Sequence, residues 1–202
     1  MELRQCALDC LAIQSPAEKV PAVSALQEQY SNQKISLSSN SEIPLNQAIP
    51  GLPNKPELVS PREVKHRAMN TDEGRAAMIH ALAHIEFNAI NLGLDAIWRF
   101  ADMPQQYYED WLKVAKEEAY HFSLVNDYLQ THGFAYGDFD AHNSLWEMVE
   151  RTVDSIIARM ALVPRTMEAR GLDAVPAIRD RFKQVKDAAA VEILDIILRD
   201  EI

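Results

Sequence analysis

Apolar residues recur at helical spacing over most of the last two-thirds of the chain. Ile79, Leu82, Ala83, Ile90, Gly93, Ile97 and Phe100 share one stripe, which predicts a long helix from about Asn70 to about Phe100. Asn70 and Glu73 have the spacing of a capping box at its start. Asp102-Met103-Pro104-Gln105 makes a tight turn. A second stripe of Trp111, Val114, Ala115, Phe122, Val125 and Leu129 follows, running to about Thr131 with Gly133 as its stop. So short a connection makes these two helices antiparallel neighbours. A third helix is expected to open at Ser144, capped with Glu147, and to run through Ile156, Ile157, Met160 and Val163. It is expected to kink at Pro164 and close at Gly171. Residues 175–186 read as a short, positively charged amphipathic helix. A fourth long helix starts from Asp187 along Ala190, Leu194, Ile197 and Leu198.

The first third is patterned differently. Residues 2–14 read as a short helix ended by Ser15-Pro16, and residues 15–30 as a second one. Residues 31–61 carry Pro44, Pro50, Pro53, Pro56 and Pro61 without periodicity, which predicts an extended segment over the surface. Ile43, Leu45, Ile49, Leu52 and Leu58 are the apolar residues expected to pin it down. The pattern as a whole is all-α: one domain over 1–202, with short N-terminal helices and a Pro-rich segment over 1–61 and a four-helix bundle over 70–202.

Composition narrows the class. With 48% hydrophobic and 25% charged residues, a packed globular chain is expected rather than a disordered one. A net charge of −10 argues against general DNA binding, because phosphate contacts dominate such affinity. No apolar run is long enough for a membrane span, and Met1-Glu2-Leu3-Arg4-Gln5 lacks the start of a signal peptide. Cys6 and Cys10 stand one helical turn apart and do not suggest a disulfide framework. A cytoplasmic location is the expectation.

The candidate chemistry lies in carboxylates on apolar stripes. Glu118 and His121 are three apart, so they share a helix face, and that face is the apolar one. A buried carboxylate costs several kcal/mol unless something positive faces it. Glu86 occupies the first stripe between Ala83 and Ile90. Both glutamates are about fifteen residues from the hairpin turn, which puts them level. Glu168 follows Pro164 by one turn, and Glu201 continues the line of Ala190, Leu194 and Ile197. Glu86 to Glu118 is 32 residues, and Glu168 to Glu201 is 33. Two similar hairpins facing each other would gather four carboxylates, and two divalent cations would supply the counter-charge. Di-iron bundles use one Glu from each of two helices and Glu-x-x-His from each of the other two. Glu86 and Glu168 fit the single positions. Glu118 with His121 makes one pair, and Glu201 begins the other. Its histidine would stand at position 204, beyond Ile202. The reading therefore expects a truncated fourth helix in a chain that naturally continues; ending here, the second metal lacks a ligand and metal is scarce or absent. His84 and Asp195 are candidate supports for the ligands. His80 and His84 lie on another face. Arg159, Arg165, Arg170, Arg179, Arg181, Lys183 and Lys186 form a basic segment, read as a solvated face or a phosphate-binding rim.

Ala81-Leu82-Ala83-His84-Ile85-Glu86, Glu118-Ala119-Tyr120-His121, Arg159-Met160-Ala161-Leu162-Val163-Pro164-Arg165 running into Glu168-Ala169-Arg170-Gly171-Leu172-Asp173, and Asp200-Glu201-Ile202 resemble a ferritin-like family catalogued as a domain of unknown function. That family is similar to the tRNA-hydroxylating di-iron monooxygenase MiaE. The resemblance implies a ferritin-like bundle with a carboxylate-bridged site for two iron (or manganese) ions. It implies an O2-dependent oxidation or hydroxylation of a small molecule or, by analogy, a modified tRNA base; simple oxidation of ferrous ion or peroxide is a second enzymatic reading. No membrane partner is expected, and a homodimer is a candidate assembly. The reading from another class is a non-catalytic helical scaffold or binding protein with an incomplete metal site.

Overall fold

Local capping chemistry decides where the helices begin and end. In this computed structural model, which describes residues 1–201 and only the backbone of residues 164–173, the elements are α1 (Leu3–Ala12), α2 (Pro16–Ser31), α3 (Asp72–Arg99), α4 (Gln105–Thr131), α5 (Ser144–Glu150), α6 (Ile156–Leu162), α7 (Pro164–Gln184) and α8 (Ala188–Asp200). The described residues are all-helical and carry no β-strand; two isolated bridges, Glu2 with Ser36 and Leu58 with Ala141, are the extended pairings. Among these residues no helix is long and apolar enough to cross a membrane.

The first two helices and the helical hairpin stand where the sequence puts them, with one change of cap. Thr71, not Asn70, opens α3: its hydroxyl accepts from Gly74 N at 3.0 Å and donates to Ala68 O at 2.8 Å. Glu73 instead pairs with Arg67. Gly133 (φ +79°) ends α4, with Gly133 N on Gln130 O at 3.1 Å and Phe134 N on Leu129 O at 2.9 Å, the paired bonds of a Schellman stop.

The third long helix is overturned. Its residues form α5, a break at 151–155, α6, and then α7, which begins at Pro164 and passes through Gly171 and Pro176 to Gln184. Side chains take over the carbonyls that a continuous helix would use. Thr152 Oγ1 donates at the Met148 and Val149 carbonyls (2.9 and 3.0 Å), and Arg159 Nη2 donates to Val149 O at 2.9 Å. Ser155 then caps α6 through Ala158 N, and Pro164, which has no N–H to donate, serves as the first residue of α7. Arg159 turns inward, fully buried, and Ile157 is left 79% exposed. Periodicity alone cannot see this, since the apolar spacing runs unbroken through a stretch where the caps compete with helix continuation.

The proline-rich segment is extended, but Leu45 and Leu58 are exposed rather than pinning it. Polar contacts hold it. Arg4 donates to the carbonyls of Ser39 (3.0 Å), Ser41 (2.7 Å) and Trp98 (2.8 Å), and Trp98 Nε1 donates to Ile43 O at 3.2 Å. Gly51 N bonds Leu11 O at 2.8 Å, and a Cβ at Gly51 would lie 2.3 Å from Ala12 O, so no other residue fits there.

The chain divides into two compact units, Met1–Asn54 with Glu86–Phe122, and Lys55–Ile85 with Ser123–Ile202. The first is built around α3. From Glu86 to Trp98 every residue of that helix is buried, as for a helix enclosed on all sides. Two of its buried polar side chains meet basic partners: Asp95 receives Arg99 Nε (3.0 Å) and Nη2 (2.6 Å), and Asn91 Oδ1 receives Lys19 Nζ. Gly93 lets α4 approach closely, a Cβ there lying 3.1 Å from Ala115 Cβ and 3.2 Å from Trp111 O. In the second unit, Asp187 caps α8 through Ala190 N (3.1 Å) and accepts from Tyr128 Oη (2.6 Å), while the 133–142 loop docks on His80 and His84.

Candidate metal centre

The tight packing of α3 on α4 sets the level of Glu86 against Glu118. Glu118 and His121 project from the same face of α4. The structure brings these three together: one ligand atom from each lies within 4.8 Å of the others. All lie in the first unit. Glu86 is 5% and His121 1% exposed, and the Glu118 side chain is 12% exposed. Phe87 and Phe122, next in sequence to Glu86 and His121, are buried and meet with ring centroids 5.7 Å apart. Tyr120, whose ring centroid is 6.1 Å from that of His121, is half exposed.

Two carboxylates held that close while buried repel each other, and the His121 imidazole stands in the same cluster. Glu118 Oε2 approaches His121 Nδ1 at 3.5 Å, too far for a good hydrogen bond. That oxygen is buried and accepts no hydrogen bond among the described residues. A buried acceptor without a donor is costly. A divalent cation removes both costs, and two carboxylate oxygens with an imidazole nitrogen suit iron, manganese or zinc. The residues present therefore fit a transition metal.

The other expected site residues are disposed differently. Glu201 is the C-cap residue of α8, its N–H on Ile197 O at 3.1 Å, and is partly buried in the second unit. Glu168 falls within α7, and its side chain lies outside the described residues. Asp195 is largely exposed and ion-paired with Arg179, which holds its carboxyl below the usual range; its partner is that guanidinium rather than a histidine. His84 is buried with both ring nitrogens engaged. The His142 carbonyl can only accept, so His84 Nε2 donates to it (3.0 Å) and Nδ1 receives the Tyr136 hydroxyl (2.9 Å). His80 Nε2 accepts from Gly137 N at 2.9 Å. Burial pushes both imidazoles down to about 4, so they are neutral at pH 7. Both nitrogens of His84 and Nε2 of His80 are thus engaged by the protein, and neither histidine belongs to the metal-ligand group found among the described residues.

Two features escaped the sequence. Tyr136 is the partner that fixes the His84 tautomer, and a tyrosine in a Gly- and Asp-rich loop gives no sign of that role. Lys19, fully buried, sends its ammonium to Leu11 O (3.1 Å), Gly51 O (3.2 Å) and Asn91 Oδ1, and sits 4.8 Å from the Phe87 ring centroid. A lysine in a weakly patterned helix reads as surface.

Comparison with known proteins adds a family without an activity. The chain is 52% identical over 200 residues to an uncharacterized protein of Haemophilus influenzae, the match covering 93% of this chain and 68% of the relative. No solved structure matches it. A family model matches residues 12–202. The chain belongs to the family described as protein of unknown function DUF455.

Proposed function

We propose that this protein is a metal-dependent oxidoreductase of ferritin-like architecture, in which Glu86, Glu118 and His121 hold a divalent transition metal and Glu168 and Glu201 contribute to a second. The observation that carries the reading is the buried Glu86–Glu118–His121 cluster with an unsatisfied oxygen on Glu118. Bound iron or manganese supplies the redox chemistry, an O2-dependent oxidation or hydroxylation of an organic substrate, with a small molecule or a modified RNA base as the candidate classes. The protein's part is charge balance from the two carboxylates, a neutral nitrogen from His121 and a buried setting for Glu86 and His121. Elemental analysis after anaerobic loading with ferrous iron tests this. Iron retained by the native chain and lost in Glu118→Ala supports it. A native chain that retains no transition metal sinks it.

One observation favours a second reading, a non-catalytic helical scaffold. The third expected bundle helix is divided into α5, α6 and α7, so the element bearing Glu168 starts only at Pro164 and does not continue the helix that opens at Ser144. In that case Glu86→Ala and Glu118→Ala leave metal content unchanged.

A further inference from the structure

The end of α7 and the length of α8 line an open groove of about 700 Å³. It lies wholly in the second unit and shares no residue with the Glu86–Glu118–His121 cluster. We propose that this groove binds a compact organic phosphate of nucleotide size, with its phosphates on the α7 side and its apolar body on the floor. Helical spacing builds the two surfaces. Arg179, Lys183 and Lys186 follow one another by four and three residues, so they form one cationic row along α7 and the turn that ends it. Ala188, Val191 and Ile196 of α8 supply apolar surface beside that row. A mostly apolar cavity of this volume with a few charged groups is the usual form of a small-molecule site.

The charges show which end of a ligand goes where. Asp195 is held by Nε and Nη2 of Arg179, the latter at 3.0 Å, with Lys183 close by. Asp187 is held from the protein side: its Oδ1 accepts from Ala190 N (3.1 Å), its Oδ2 accepts from Tyr128 Oη (2.6 Å), and Arg75 Nε stands 3.5 Å away. Arg199 turns to Asp200 at 2.8 Å. Lys183 and Lys186 are exposed and enter no ion pair among the described residues. Two ammonium groups beside carboxylates that already have partners suit an anion carrying two or more charges. Glu192 on α8 is exposed, and as a carboxylate it accepts hydrogen bonds and repels phosphate. It therefore suits hydroxyl or amino groups at the ligand's other end. A nucleotide carries all three parts: phosphates, an apolar ring and hydrogen-bond donors. A long phosphate chain fits less well, because the groove is short, Glu192 borders it and the protein as a whole has a net charge of −10.

The test is calorimetric titration of the whole chain with ATP, pyrophosphate and a short single-stranded RNA. EDTA is present, so that failure here leaves the metal reading untouched. ATP is expected to bind with a dissociation constant below about 0.1 mM, and pyrophosphate, which lacks the apolar body, about tenfold more weakly or worse. Lys183→Gln/Lys186→Gln is expected to weaken ATP by about tenfold or more. Lys34→Gln/Lys55→Gln removes the same charge from exposed positions outside the groove and should change ATP affinity by less than about twofold. Circular dichroism confirms that both double variants fold. No ATP binding at millimolar concentration overturns the proposal, as does equal weakening by the two double variants. Pyrophosphate binding as tight as ATP would make the groove a plain anion site, and RNA binding tighter than ATP would make it a nucleic-acid surface; either result overturns the assignment.

Discussion

At position 19 a lysine side chain is fully buried and delivers its ammonium to three oxygens from α1, the extended segment and α3. Burial pushes its pKa down to about 7 in spite of those acceptors. The unfolded chain keeps that proton to about pH 10.4. Between the two values the unfolded state binds more protons, so this group makes stability rise as pH climbs from about 7 toward 10. Urea denaturation at pH 6.5 and pH 9 is expected to show the rise in the native chain and its absence in Lys19→Met. The variant also leaves three buried oxygens without a donor and is less stable at the lower pH by about 1–3 kcal/mol. The cluster gives the opposite sign. In metal-free protein, Glu118→Gln removes one of two neighbouring buried charges, so its melting temperature is expected to be higher than that of the native chain. Manganese(II) should then raise the native melting temperature by mass action and leave that of Glu118→Gln nearly unchanged. A metal-free Glu118→Gln that melts lower would show that the carboxylate is held by donors rather than strained by Glu86.

Two glycines separate packing from backbone conformation at the level of elements. Gly93 has helical backbone and a crowded surround, whereas Gly133 has φ +79° and nothing within 4 Å of an added Cβ. Gly93→Leu is expected to cost about 1–3 kcal/mol by wedging α3 from α4. It should also weaken metal binding, since that contact sets Glu86 against Glu118. Gly133→Ala meets no atom and is expected to cost about 1 kcal/mol by conformation alone, with metal affinity unchanged. Melting curves and cobalt titrations of the two variants check the pair. The same contrast explains what could be read from the sequence. Gly133 after an amphipathic run is a local stop signal, and the α3–α4 hairpin follows from two stripes and one short turn. The level placement of Glu86 and Glu118 follows from counting residues. The break at 151–155 could not be read this way, because it depends on Thr152 and the inward turn of Arg159. Lys19 and Tyr136 could not either, since each acts on residues distant in sequence that no period connects.

At the scale of the molecule, the two units differ in how completely their helices are enclosed. In the first, α3 is buried at every position from Glu86 to Trp98, with Asn91 Oδ1 on Lys19 and Asp95 on Arg99. Opening it exposes a continuous apolar surface and breaks those polar matches, so it opens only with the unit as a whole. In the second, α6 buries Arg159 while Ile157 and Leu162 face outward. This seven-residue helix is far below the length at which helices are stable alone, and packing adds little. Native-state hydrogen exchange is the measurement suited to this difference, because local opening free energies follow buried contacts. Amides of residues 90–98 are expected to exchange slowest, at the rate set by global unfolding of their unit. Amides of residues 159–162 are expected to exchange faster by about two orders of magnitude or more, an opening cheaper by about 3 kcal/mol. Because the candidate ligands stand on these helices, manganese(II) is expected to slow exchange around Glu86 and residues 118–122; unchanged exchange there would count against the metal reading.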